Sequence, residues 1–121
     1  MHEMSIASEI QRIGRDAVER RGDGRLESIR VAVGELTAVE PQLLRYAWDA
    51  LTRGGPDEGV RLEVEWRAAL QFCVSCGEWK TRGLGSWLRL CPDCGTPLKV
   101  EGGSDLDVLE VTFTPRERAG G

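Results

Sequence analysis

The chain has 121 residues, with 20 acidic and 16 basic side chains, four cysteines and a single histidine. Such a length fits one core, or one core with a small satellite. The net charge of −4 supplies no overall positive field to gather phosphates, and one histidine excludes any site that needs two.

No apolar run approaches the ~18 residues of a membrane helix. The opening segment also lacks the basic-then-apolar layout of a signal peptide, so a cytoplasmic protein is expected. Between Met4 and Arg20, Ile6, Ala7, Ile10, Ile13, Ala17 and Val18 recur at helical spacing. They predict an amphipathic helix closed by Gly22 and Gly24. Ile29, Val31 and Val33 then alternate with Ser28, Arg30 and Ala32, the pattern of a strand with one buried face, ended by Gly34-Glu35. Pro41 suits the first turn of a second helix, whose apolar face is Leu44, Ala47, Trp48 and Leu51 and which Gly54-Gly55-Pro56 terminates. A second strand places Val60, Leu62, Val64 and Trp66 on its buried side. Periodicity fades from 70 to 99, where all four cysteines lie, and returns in a third strand from Leu106 to Phe113. The expected fold class is α/β (α+β), a small three-stranded sheet with two helices. Residues 1–69 and 100–115 form this discontinuous domain, 70–99 an inserted zinc-ribbon or rubredoxin-like module, and 116–121 a mobile tail.

Cys73-Val-Ser-Cys76-Gly77 and Cys91-Pro-Asp-Cys94-Gly95 are two knuckles separated by fourteen residues. Two residues between cysteines let both thiolates reach one ion from a tight turn, and the following glycine accepts positive φ so that amides turn toward the sulfurs. Tetrahedral sulfur suits zinc or iron. Disulfides compete, but a chain without a secretion signal sits in a reducing compartment. Four protein ligands leave no open position, so the site is expected to be structural. Phe72, Trp79 and Trp87 are expected to pack around the knuckles as a miniature core. A nucleic-acid or protein-binding zinc ribbon is one alternative, disfavoured for nucleic acid by the acidic balance. Electron transfer through iron is another. No Ser/His/Asp set, P-loop or dinucleotide fingerprint is present, so no enzyme is expected, and Glu35 and Glu40 read as solvated or capping carboxylates.

The histidine stands at position 2. Taken alone such a residue is commonly an incidental exposed side chain. A free terminal amine, the amide nitrogens of His2 and Glu3, and the His2 imidazole also offer four nitrogens in a plane, a geometry that Ni(II) and Cu(II) prefer and zinc does not. The Glu3 carboxylate can add an oxygen or orient the ring.

M-H-E-M-S before an amphipathic helix, V-A-V-G-E-L-T-A-V-E-P-Q-L-L in the strand-to-helix passage and the paired knuckles together resemble the hydrogenase nickel-incorporation protein family (HypA/HybF), from Met1 to about Phe113. The resemblance implies a metallochaperone that takes Ni(II) at Met1, His2 and Glu3 and holds structural zinc at Cys73, Cys76, Cys91 and Cys94. It also implies help in inserting nickel into the [NiFe]-hydrogenase large-subunit precursor, with a maturation GTPase of the HypB type as partner. No histidine flanks the zinc cysteines here, so a pH-dependent change of zinc coordination does not carry over, and urease maturation does not follow from these residues. Monomer and dimer are both compatible with the sequence.

Overall fold

The computed structural model describes residues 3–83 and 86–116. Helix α1 (Glu3–Arg20) buries Ile6, Ala7, Ile10, Gly14 and Val18. At Gly14 the helix packs tightly on the sheet: a Cβ there would meet Ile29 Cδ1 at 2.5 Å. That contact sets the roll of the helix, and it leaves Ile13 and Ala17 half-buried, where their spacing alone predicts core. A tight turn at 21–23 leads into strand β1 (Gly24–Gly34), so α1 runs back along the strand that follows it.

A single 3-10 turn, Glu35–Thr37, joins β1 to helix α2 (Pro41–Thr52). Pro41 occupies the first turn, and Glu40 caps the helix by accepting from Gln42 N at 3.4 Å. Leu44, Trp48 and Thr52 are buried; Thr52 is admitted because its hydroxyl donates back to Trp48 O at 2.9 Å. The Trp48 indole N–H donates to Val60 O at 2.8 Å, tying α2 to the start of β2 (Arg61–Arg67).

Strands β3 (Leu70–Cys73), β4 (Glu78–Lys80) and β5 (Lys99–Glu101) follow, and β6 (Leu106–Pro115) closes the chain order. The first sheet runs β2-β1-β6, with β2 parallel and β6 antiparallel to β1. Parallel β1 and β2 need a crossover, which α2 supplies. The core lies between this sheet and the two helices and includes Ile6, Ile10, Val18, Leu26, Ile29, Val31, Val33, Leu44, Trp48 and Leu62.

β1 departs from the one-face expectation. As the central strand it also buries Ser28 and Ala32, small side chains flanked by the longer residues of both neighbouring strands. Trp66, near the end of β2, is exposed, against the expectation that it shares the strand's buried side.

The cysteine segment forms a second sheet, β4-β3-β5. Its strands are only three or four residues long, too short for a period to show in sequence. The two sheets meet where β1 ends: Gly34 N donates to Asp105 O and Leu36 N to Gly103 O, both at 2.7 Å. Ser5 and Ile6 of α1 line one cavity with Leu106, the cross-strand partner of Val33. The start of α1, the end of β1 and the approach to α2 therefore share the end of the first sheet from which the cysteine module departs.

Candidate metal centre

The two knuckles have matching local geometry. Gly77 N donates to Cys73 O at 2.8 Å and Gly95 N to Cys91 O at 2.9 Å, and both glycines take positive φ, +68° and +75°. In each knuckle the first cysteine is buried and the second exposed. All four Sγ atoms lie within 4.8 Å of one another. Cys73 Sγ and Cys94 Sγ are 3.5 Å apart, Cys76 Sγ and Cys91 Sγ 3.9 Å. A tetrahedral ion with metal–sulfur bonds of about 2.3 Å places its sulfurs about 3.8 Å apart. The donor set and spacing therefore fit one tetrahedral, thiophilic ion, and this is a four-cysteine metal-binding site.

Electrostatics within the cluster are uneven. The Thr96 hydroxyl, 3.2 Å from Cys94 Sγ, and the Thr96 amide hold the Cys94 thiol down at about 6. Cys76 is pushed up to about 12, chiefly by shared hydrogen bonds with Cys94 and Cys73 that favour its protonated form. Burial works against ionising Cys91, but hydrogen bonds from the Asp93 and Cys94 amides outweigh it and lower the thiol. A dication reverses this crowding, favouring the thiolate at each position and displacing the remaining protons.

Supporting residues that sequence reasoning missed surround the cluster. Lys80 is buried, yet its Nζ donates to Glu78 at 2.6 Å and to Asp93, inside the second knuckle, at 2.7 Å. These carboxylates raise the lysine above its ordinary value, Asp93 foremost, so it stays charged beside the thiols. Thr96 Oγ1 also reaches Ser75 Oγ at 3.1 Å, linking the second knuckle to the first. The Asp of C-P-D-C and Lys80, thirteen residues before it and one of only two lysines in the chain, are the sequence signals for the first arrangement.

The aromatic residues depart from the expected miniature core. Phe72 and Trp79 meet edge to face at 5.0 Å, but Trp79 is 55% exposed. Trp87, 42% exposed, leaves the knuckles altogether and lies against the Arg82 guanidinium at 3.9 Å. That guanidinium reaches back to the first sheet, bonding the Glu35 carboxylate, Ala69 O at 3.0 Å and Ser86 O at 3.0 Å. Glu35 is thus no solvated carboxylate: it also accepts from Ala69 N at 3.0 Å. Its burial favours the neutral acid, but Arg82 and the Ala69 amide prevail and hold it below the ordinary value.

Of the expected nickel ligands, Glu3 opens α1; Met1 and His2 lie outside the described residues, as do 117–121 of the expected tail. No helix among the described residues is long and apolar enough to cross a membrane.

An α+β body carrying a four-cysteine metal-binding site defines the class, a metalloprotein. The family described as hydrogenase/urease nickel incorporation, metallochaperone, HypA, matches residues 1–113. The hydrogenase maturation factor HypA of Alkalilimnicola ehrlichii is 34% identical over 112 residues, covering 92% of this chain and 97% of that one. The HypA of Albidiferax ferrireducens is 31% identical over the same shares. The chain belongs to the HypA family of nickel metallochaperones. The solution structure of the Ni metallochaperone HypA from Helicobacter pylori is similar in fold, with a TM-score of 0.61 at 18% identity over 96% of this chain and all of that one.

Proposed function

We propose that this protein carries Ni(II) at its amino terminus and delivers it to the [NiFe]-hydrogenase large-subunit precursor, working with a maturation GTPase of the HypB type in the cytoplasm. The observation that carries the reading is the placing of the chain's single histidine at position 2, within a chain that belongs to a nickel-incorporation family. Met1 supplies the amine, His2 and Glu3 supply amide nitrogens, and His2 adds its imidazole, giving the tetragonal nitrogen set that suits Ni(II). Glu3 contributes a carboxylate from the first turn of α1.

Cargo that must be handed on belongs where its ligands can be peeled away, and a chain terminus offers that. The four cysteines have the opposite task. Closed, soft and cross-tied through Thr96 and Ser75, they retain zinc as the resident ion and hold the 70–99 module in shape while the terminal site loads and unloads.

Nickel titration of the zinc-loaded protein with an authentic amino terminus tests the reading. His2→Ala and a variant with one extra residue before Met1 are each expected to weaken Ni(II) binding by at least about tenfold, the loss of one strong ligand. Unchanged affinity in both would remove the terminal site.

A further inference from the structure

Away from the metal centre, a trough runs between α1 and β6. Two cavities, of about 290 and 440 Å3, share Ile13 and Val108 and so lie side by side along it. Its α1 wall carries Ile10, Ile13 and Ala17, and its β6 wall Leu106, Val108 and Leu109. Gly14 draws α1 close over β1, while on the β6 side Ile13 and Ala17 stay half-buried and the packing against Val108, Val111 and Phe113 is incomplete.

Three features define what would fill it. β6 is the outermost strand of its sheet and ten residues long, so its outer edge carries unpaired backbone donors and acceptors. Its pairing with β1 slips at Leu109, which has no partner, and this bulge turns both Val108 and Leu109 toward the trough. Asp107 and Glu110 also border these cavities, while their register opposite Ala32 and Arg30 of β1 directs their side chains toward the other face of the strand. Glu110 meets Arg30 only at 3.9 Å, and Asp107 has no ion-pair partner among the described residues.

We infer that the β6 edge receives an extended segment of a partner protein in which apolar residues alternate with lysine or arginine. Added beside β6, such a strand directs its apolar side chains under Ile10, Ile13 and Ala17. Its cations fall beside Asp107 and Glu110 on the other face, since alternate residues of a strand point to opposite faces. A second copy of β6 does not meet this requirement. Leu106–Pro115 contains two carboxylates and no cation, so self-pairing sets like charges together.

The test uses the metal-loaded, 15N-labelled chain and capped eight-residue peptides of alternating valine and lysine, valine and glutamate, or serine and lysine. The valine–lysine peptide is expected to shift the amides of Leu106–Phe113 and slow their hydrogen exchange, and the other two to bind at least about tenfold more weakly. Leu109→Asp should abolish the effect. Asp107→Lys, at an exposed position, should weaken it several-fold with an unchanged melt. An undisturbed β6 would overturn the proposal, as would equal binding of the valine–glutamate peptide. So would a concentration-dependent dimer that protects β6 without peptide, which would assign the edge to a second copy.

Discussion

Arg82 and Glu35, 47 residues apart in sequence, form an ion pair in which both side chains are largely shielded from water, 8% and 13% exposed. Arg82 belongs to the segment between the two knuckles, and Glu35 follows the last residue of β1. The pair fastens the metal-binding module to the end of the first sheet where α1 begins. Both partners have further bonds: the guanidinium to the carbonyls of Ala69, Ser86 and Gly83 and to an indole face, the carboxylate to the Ala69 amide.

Glu35→Gln keeps the shape but leaves a shielded guanidinium without its counter-charge. It is expected to lower the melting midpoint and to speed hydrogen exchange of the Ala69 amide by at least about tenfold, as local opening becomes easier. Arg82→Lys should not rescue, because an ammonium cannot fork to Ala69 O and Ser86 O while lying flat on Trp87. The pH dependence follows from the lowered pKa of Glu35. A carboxylate held below its ordinary value of about 4.3 stabilises the fold above that pH, and the contribution is lost as pH falls through the lower folded value. The stability difference between the native chain and Glu35→Gln should therefore be constant near neutrality and shrink below about pH 4.

Gly34 forms the other half of the junction. A Cβ at this position would meet Gly103 O at 2.1 Å, a backbone atom that cannot step aside alone. Gly54 takes a φ of +74° but faces open space. Gly34→Ala should therefore disrupt the contact between the sheets and lower the melting midpoint far more than Gly54→Ala, whose cost is limited to about 1 kcal/mol of backbone strain. Parallel thermal melts of the two variants make the comparison.

Trp48 is the largest fully buried side chain. Trp48→Ala is expected to cost about 3–5 kcal/mol through lost transfer energy and cavity formation. Trp48→Phe fills most of the space but leaves Val60 O without its donor, at about 1–3 kcal/mol. Denaturant titrations at constant slope would give both values.

Cys91→Ser should lower metal content and unfold the 70–99 module while β2-β1-β6 persists. Bound metal should also be released by acid, since each thiolate must be reprotonated for the ion to leave. Metal analysis at pH 7 and pH 4, with amide exchange in β3 and β4, checks both.

Much of this architecture is legible in the sequence because it rests on repeating patterns. Leu44, Trp48 and Ile29 announce themselves by spacing, and two C-x-x-C-G knuckles announce a tetrahedral site. What the sequence hides depends on single long-range contacts. Glu35 looks like any carboxylate after a strand until Arg82 arrives from the far side of the metal module. Trp87 looks like core, yet serves as the platform for that arginine. Ser28 and Ala32 read as a solvated face, because alternation cannot tell that their strand becomes the central one. Ile13 and Ala17 fit the helical stripe as well as Gly14 does; only the close approach at Gly14 decides which of them face β6.

The central claim is that the terminus carries nickel while the cysteines keep a different, resident ion. One equivalent of Ni(II) added to zinc-loaded protein with an authentic amino terminus, read by metal-resolved mass spectrometry and nickel X-ray absorption, tests it most directly. One zinc and one nickel per chain are expected, with nickel bound by nitrogen and oxygen and no sulfur at bonding distance. Displaced zinc, or nickel–sulfur scattering, would contradict it.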